Sequence, residues 1–398
     1  MRKNDEVFQI RIKNLQENLK LNNISAALIM YSRDLFYYSG TAQPSNLFIP
    51  ESGEPILFTR RAHEMTKEAT WMAQTFQATS MKDMLSILSE LNVLPQKGSH
   101  IGVQQDVLPT NIGFSLQKNL RDYTIVNVSK LIMQQRLVKD FTEIESIRMS
   151  IDLWKKGHEA ILSTLKTGIT EYELAANMEY AARKNGGDGV VWFRRWDGCL
   201  PGGGIVTSGP NAWEVSGHAM TVTGIGMSES LPWGASKRKF QTGDLVVVDY
   251  GICREGYHAD MARTYCLGKP SVKQLDLWNR LVELHLSVID KIRPGITGEE
   301  LYLFAEQLAK NEGLFENFMG VGNSRGQYIG HSIGLEIDED PVLGLGFTQP
   351  LPDGAVITIE PKFMVPGLGA VMIEDDILIT KTGYEILNTI DRDLFYTE

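Results

Sequence analysis

The feature that most constrains this chain is an internal repeat. "KTGITEYELAANMEYAARKNGG" at 166–187 returns as "RPGITGEELYLFAEQLAKNEGL" at 293–314. Gly168 matches Gly295, and the capping boxes Thr170/Glu173 and Thr297/Glu300 coincide. So do Leu174/Leu301, Glu179/Glu306, Ala182/Ala309 and Gly186/Gly313. Capped amphipathic helices resemble one another for local reasons, so the helix match alone leaves chance similarity open. A second match follows it. "GDLVVVD" at 243–249 aligns with "GAVITIE" at 354–360: a glycine, a mostly β-branched or aliphatic run, then an acid. In each half a glycine-containing turn leads on to another acid, Asp260 in the first and Glu374 in the second. Two such halves facing one another bring four carboxylates together, an arrangement that cannot persist without cations.

With 398 residues the chain exceeds one ordinary core, and two domains are expected. Residues 1–136 mix element types. A helix is predicted over 5–22, then an apolar strand in "ISAALIMYS" and a hairpin in "SNLFIPESGEPILFT" turning at Glu51-Ser52-Gly53. A helical stretch over 61–72 follows, then short strands in "SHIGVQQ" and "YTIVNVS" around a helix near 109–120. This reads as a smaller α/β domain ahead of a larger one, 137–398, which opens with a long helix where Thr142 and Glu145 are spaced as a capping box.

The formal net charge of -10 and pI near 5.3 argue against a nucleic-acid surface, which needs a basic patch. The cluster Lys237-Arg238-Lys239 is short and reads as solvated. Cys199, Cys253 and Cys266 form no CxxC pair and fit a reducing compartment. The N-terminus has no apolar h-region, and no stretch approaches about 18 apolar residues. A cytoplasmic protein without a membrane span is expected.

His331, in "YIGHSIGLEIDEDP", lies between the acid pairs, with Gly330 and Gly334 leaving room for close backbone approach. The candidate ligand set is Asp249, Asp260, His331, Glu360 and Glu374. Mostly oxygen donors suit two hard-to-borderline divalent ions about 3.5–4 Å apart; a closed zinc site more often uses cysteine. Taken singly, each residue has an ordinary alternative. Asp249 could cap a turn, Asp260 could pair with Arg263, His331 could be a satisfied core histidine, and Glu374 in "IEDD" could be solvated. Their joint placement on two related units is what carries the metal reading.

"GDLVVVDYG", the eleven-residue step to Asp260, "GHSIGLE", "ITIEP" and the acid in "VMIEDD" resemble the five-ligand pattern of the pita-bread metallohydrolases, which include methionine aminopeptidase, aminopeptidase P, prolidase and the metal-free creatinase. The resemblance spans the chain and is strongest over roughly 140–398. It implies an α+β protein: a C-terminal pita-bread fold with a pseudo-twofold repeat, preceded by a creatinase/prolidase-type N-terminal α/β domain. It also implies a dinuclear centre (Mn²⁺, Co²⁺, Zn²⁺ or Fe²⁺), a homodimer, and Glu360 as general base beside an activated water. Because the five ligands are present, the chain sides with the metal-dependent branch rather than with creatinase.

The chain departs from that family in two places. Where the peptidases carry two histidines that grip the scissile amide, "LPWGAS" has Trp233 and "EIDEDP" has Asp338. Trp233 offers one N–H donor and a flat face, and Asp338 a carboxylate. His218, in "EVSGHAM", is a candidate for a missing imidazole, against an ordinary loop histidine. Arg194 and Arg195 are candidates for clamping a substrate carboxylate, against surface ion pairs. Three functions follow. The first is an Xaa-Pro-type peptidase acting on small peptides, the second a non-peptidase dinuclear hydrolase or lyase on a small, cationic metabolite. The third, from another class, is a non-catalytic binding module on a peptidase scaffold.

Overall fold

The computed structural model describes residues 5–195, 198, 200–216 and 222–397. The chain divides into two compact units, Met1–Arg136 and Leu137–Glu398.

In the first unit a six-stranded sheet runs in the order 75–77, 56–59, 45–50, 26–29, 100–103, 124–127. Ala26–Ile29 sits inside it, antiparallel to Ser45–Pro50 and parallel to His100–Val103. All its residues are buried, as its uninterrupted apolar run requires. The predicted hairpin forms between Ser45–Pro50 and Ile56–Thr59. Gly53 takes a positive φ of 101° in its turn, a conformation that strains other residues. Leu28, Phe48, Phe58 and Ile101 anchor the core beneath Leu88 and Leu116.

In the second unit the repeat is realised as two helix pairs and two sheets. Helices Phe141–Thr164 and Glu171–Lys184 belong to the first half, Val272–Ile289 and Gly298–Asn311 to the second. Both predicted capping boxes form, each threonine hydroxyl accepting the glutamate N–H at 3.1 Å. The long first helix starts earlier than the sequence suggested. Asp140 caps it, accepting from Thr142 N at 2.9 Å and Glu143 N at 3.1 Å, while Glu143 reaches back to Asp140 N. The box is therefore Asp140/Glu143 rather than Thr142/Glu145. The Thr142 hydroxyl donates to Asp140 at 2.6 Å from within the first turn, because aspartate is at least as good a cap as threonine and lies upstream of it.

Strands Leu245–Arg254 and Tyr257–Leu267 pair antiparallel along their whole length, flanked by Gly204–Ser208 and Phe395–Thr397. The second sheet has the order 339–344, 328–332, 356–359, 375–380, 383–386. A separate ribbon joins Lys362–Val365 to Gly369–Met372. Trp278, Leu281, Leu301, Tyr302, Ile357 and Phe363 are all within the core that the helices Val272–Ile289 and Gly298–Asn311 close over, each large side chain contributing about 1.5–3 kcal/mol of burial. No helix among the described residues is long and apolar enough to cross a membrane.

One contact between helix and sheet carries a pH dependence. His158 Nδ1 and the Tyr265 hydroxyl share a hydrogen bond of 2.6 Å, and the His158 ring meets Phe395 edge-on. Burial, with the Arg263 charge adding to it, pushes His158 down to about 4. The unfolded chain, near 6.5, therefore binds more protons between these values, so stability is fully present above about 6.5 and is lost as pH falls towards 4. The stability advantage of wild type over His158→Phe, measured by urea unfolding, is expected to narrow from pH 7 to pH 4.5. A constant difference would contradict the assignment.

Candidate metal centre

Asp249 lies at the middle of Leu245–Arg254, whose first nine residues are buried, and is itself only 6% exposed. Burial pushes its carboxyl up to about 7; Glu360 adds to the rise, while Lys362 and His331 oppose it. Asp260 arrives on the antiparallel neighbour, opposite Gly251, and its backbone N–H donates to Asp376 Oδ2 at 3.2 Å. Burial, then the charges of Asp249, Asp376, Glu360 and Asp338, push Asp260 well above the ordinary carboxylate range. Glu374, joined to the first half by an N–H bond to Ala262 O at 3.0 Å, is raised by burial and by Asp260, Asp249 and Glu360.

His331 is aimed by an irregular ladder. The register between Tyr328–Ser332 and Glu339–Gly344 shifts on both sides of it, so its ring leaves the regular alternation. Gly330 permits the close approach behind it, since a Cβ there would sit 2.0 Å from the Thr358 carbonyl oxygen. Nδ1 of His331 lies 3.1 Å from the Ser332 carbonyl, which can only accept. The neutral ring thus carries its proton on Nδ1 and turns the Nε2 lone pair inward. That nitrogen faces Asp260 Oδ2 and Glu360 Oε1, each at 3.7 Å. A lone pair facing two carboxylate oxygens beyond hydrogen-bond distance leaves room for a cation among them. Ligand atoms of Asp260, His331 and Glu374 all lie within 4.8 Å of one another. Glu360, following Val356–Ile359, is fixed by its N–H bond to Ile329 O at 2.9 Å. The donor set fits divalent cations: acids pushed up by burial and by one another, plus an imidazole already in the metal-binding tautomer.

All five residues line one solvent-open cleft, together with Phe193, Arg195, Trp233 and Asp338. Trp233 is half-buried there. Arg195 forms an ion pair with Asp338 inside the cleft. Arg194 Nη1 lies 3.8 Å from Oε1 of the fully buried Glu336. His218 lies outside the described residues.

Several residues around the ligands were not singled out from the sequence. Lys362, 1% exposed, donates to Glu360 Oε2 at 2.7 Å. Burial alone would lower it, but Glu360, Tyr328 and Asp249 outweigh that and hold it above the ordinary lysine value. Arg263 does not pair with Asp260. The two positions are three apart on one strand and face opposite sides. Its Nη2 donates to Asp375 Oδ1 at 2.7 Å and its Nη1 to Glu374 O at 2.8 Å. Asp375 also accepts from Arg392, Asn388 and the His285 ring. Burial would raise Asp375, yet Arg263, His285 and Arg392 together bring it well below the usual range. The available signal was "VMIEDDILIT": three acids inside an apolar run all require buried partners.

Residues 145–381 match the model of metallopeptidase family M24, and residues 11–138 match that of the creatinase/prolidase N-terminal domain. The Xaa-Pro dipeptidase of Pyrococcus horikoshii is 27% identical over 392 residues, covering 98% of this chain and 99% of that protein. An X-Pro aminopeptidase structure from Thermotoga maritima superposes with a TM-score of 0.80 at 25% identity, covering 97% of this chain and 99% of that one. An Xaa-Pro dipeptidase structure from Bacillus anthracis gives 0.83 at 25% identity, covering 98% and 100%.

Proposed function

The chain belongs to metallopeptidase family M24, and from that premise we propose that it is a divalent-cation-dependent hydrolase cleaving small Xaa-Pro-type peptides. Its fold is α+β, a pita-bread unit preceded by a creatinase/prolidase-type domain. The observation that carries the proposal is the His331 Nε2 lone pair held 3.7 Å from both Asp260 and Glu360 within a buried carboxylate cluster.

Asp249, Asp260, His331, Glu360 and Glu374 would hold the cations, in two positions. Bound there, divalent cations supply Lewis acidity, acidifying water and polarising a carbonyl oxygen. Glu360 takes the proton of the attacking water and passes it to the departing nitrogen, with Lys362 holding its carboxylate through Oε2. Arg195 at the cleft offers its guanidinium to the carboxylate of a dipeptide, exchanging Asp338 for the substrate. Trp233 supplies a flat apolar wall suited to a proline ring. Oxygen-rich donors favour Mn²⁺ or Co²⁺ over a thiolate-seeking ion. A cationic metabolite is less well served, because Arg195 sets a positive charge in the same cleft.

The test is a panel of Xaa-Pro and other dipeptides assayed after chelation, with and without added Mn²⁺ or Co²⁺. Turnover is expected to vanish on chelation and to return with metal. Absence of turnover for every peptide, with metal demonstrably bound, would remove the peptidase assignment.

A further inference from the structure

His258 stands two residues ahead of Asp260 on Tyr257–Leu267, on the same face of the strand, and is fully buried. Backbone groups engage both of its ring nitrogens. Nδ1 lies 2.9 Å from the Gly334 carbonyl, which can only accept, and Nε2 lies 3.1 Å from the Trp192 N–H, which can only donate. The ring in this arrangement is neutral, with its proton on Nδ1. Its two partners belong to two segments that follow no regular ladder. A further bond closes the loop between them: the Ile337 N–H donates to the Trp192 carbonyl at 2.9 Å. The backbone N–H of His258 also donates to Gly334 O, at 2.9 Å.

These two segments carry the charged groups of the cleft rim. Phe193 and Arg195 follow Trp192, Asp338 follows Ile337, and all of them line the cleft. Arg195 and Asp338 pair with one another there. The imidazole does for the two segments what an intervening strand does in a sheet. It takes the N–H of one and gives a donor to the carbonyl of the other, so its length sets the gap between them. The cation candidates are fixed by other bonds, Asp260 through its N–H to Asp376 and Glu360 through its N–H to Ile329.

We propose that His258 is a positioning residue for substrate recognition. It clamps residues 192–195 to residues 334–338 and so holds Arg195 where it meets the carboxylate of a dipeptide, without taking part in the hydrolytic step. The inference rests on the peptidase reading given above.

The test compares wild type, His258→Asn, His258→Leu and His258→Gln, each loaded with Mn²⁺, on an Xaa-Pro dipeptide and on the same dipeptide amidated at its C-terminus. Asparagine keeps a donor near the Nδ1 position but falls short of Trp192, and leucine fills the space with neither donor nor acceptor. Glutamine brings its amide oxygen to the Nε2 position. His258→Asn and His258→Leu are each expected to raise KM for the free dipeptide on the order of tenfold. Their kcat is expected to stay within about threefold of wild type. The amide offers Arg195 no carboxylate, so its KM moves far less and the preference for the free dipeptide falls by about the same factor. His258→Gln is expected to recover most of that preference. An unchanged preference in a folded Asn or Leu variant, a loss confined to kcat, or a wild type that does not prefer the free dipeptide would overturn the proposal. Failure of both variants to fold would place His258 in the fold rather than in recognition, and would overturn it as well. No turnover of the free dipeptide by wild type, with Mn²⁺ bound, removes the peptidase reading and this inference with it.

Discussion

Asp260→Asn is expected to abolish metal-dependent turnover while raising the thermal stability of the metal-free protein. Asp260 lies at the centre of the site, with Oδ2 3.7 Å from His331 Nε2 and its ligand atom grouped with those of His331 and Glu374. An amide cannot supply the charge a divalent ion requires here. Losing several kcal/mol of transition-state stabilisation lowers kcat/KM on the order of 10³-fold or more. The stability effect has the opposite sign. Without cations, burial and then Asp249, Asp376, Glu360 and Asp338 push the Asp260 carboxyl well above its unfolded value. The native state then holds more protons than the unfolded chain, so the stability slope with pH is negative across that interval. The penalty is absent below the unfolded range near 4 and grows as pH rises towards the folded value.

Asparagine keeps the shape and removes the charge, so the metal-free variant gains more at pH 8 than at pH 5. Each kcal/mol appears as roughly 2–4 °C in Tm for a unit of this size. Addition of Mn²⁺, which raises the wild-type Tm through binding, leaves the variant nearly unmoved. Wild-type turnover in the variant would refute the metal assignment. A metal-free Tm below that of wild type would refute the charge argument separately.

Arg263→Met is expected to cost about 3–5 kcal/mol of unfolding free energy, because it leaves a buried carboxylate short of its main counter-charge. Arg263 and Asp375 are both fully buried, 2.7 Å apart. The same guanidinium donates to the carbonyls of Ala262 and Glu374, so it ties the strand that carries Asp260 to the segment that carries Glu374. Arg392 and His285 remain on Asp375 after the substitution, and they limit the loss without replacing the bonds to the backbone. The double variant Arg263→Met/Asp375→Asn is expected to be more stable than Arg263→Met alone, since it removes the carboxylate left underpaired. Urea unfolding of the three proteins measures both effects. A single-variant loss under about 1 kcal/mol would place the pair among weak surface-type bridges.

Much of the architecture was legible in local pattern. Caps at Thr170 and Thr297 and apolar runs leading into acids are short-range signals. The caps form as read, while the first strand continues past Asp249 to Arg254 and the second stops before Glu360. The long helix failed by two residues because Asp140 and Thr142 are both competent caps and only the folded backbone chooses between them. The ligand candidates were legible because an acid inside an apolar strand is locally anomalous. Their partners were not. Glu374, Asp375 and Asp376 are consecutive in sequence, yet they answer to the Asp260–His331 group, to Arg263, and to the Asp260 N–H respectively.

The sequence by itself determined which residues are costly to bury and that two related halves share that cost, because both are properties of short stretches. Tertiary structure alone decided which charge meets which. It sent Arg263 to Asp375 across 112 positions and Arg195 to Asp338 across 143. It also set Lys362 against Glu360 within the site. For Arg263 and Asp375, strand parity and the register between distant strands select the pair. Arg195 and Asp338 stand outside strands, where the path of the connecting segments decides. Neither is written in any local period.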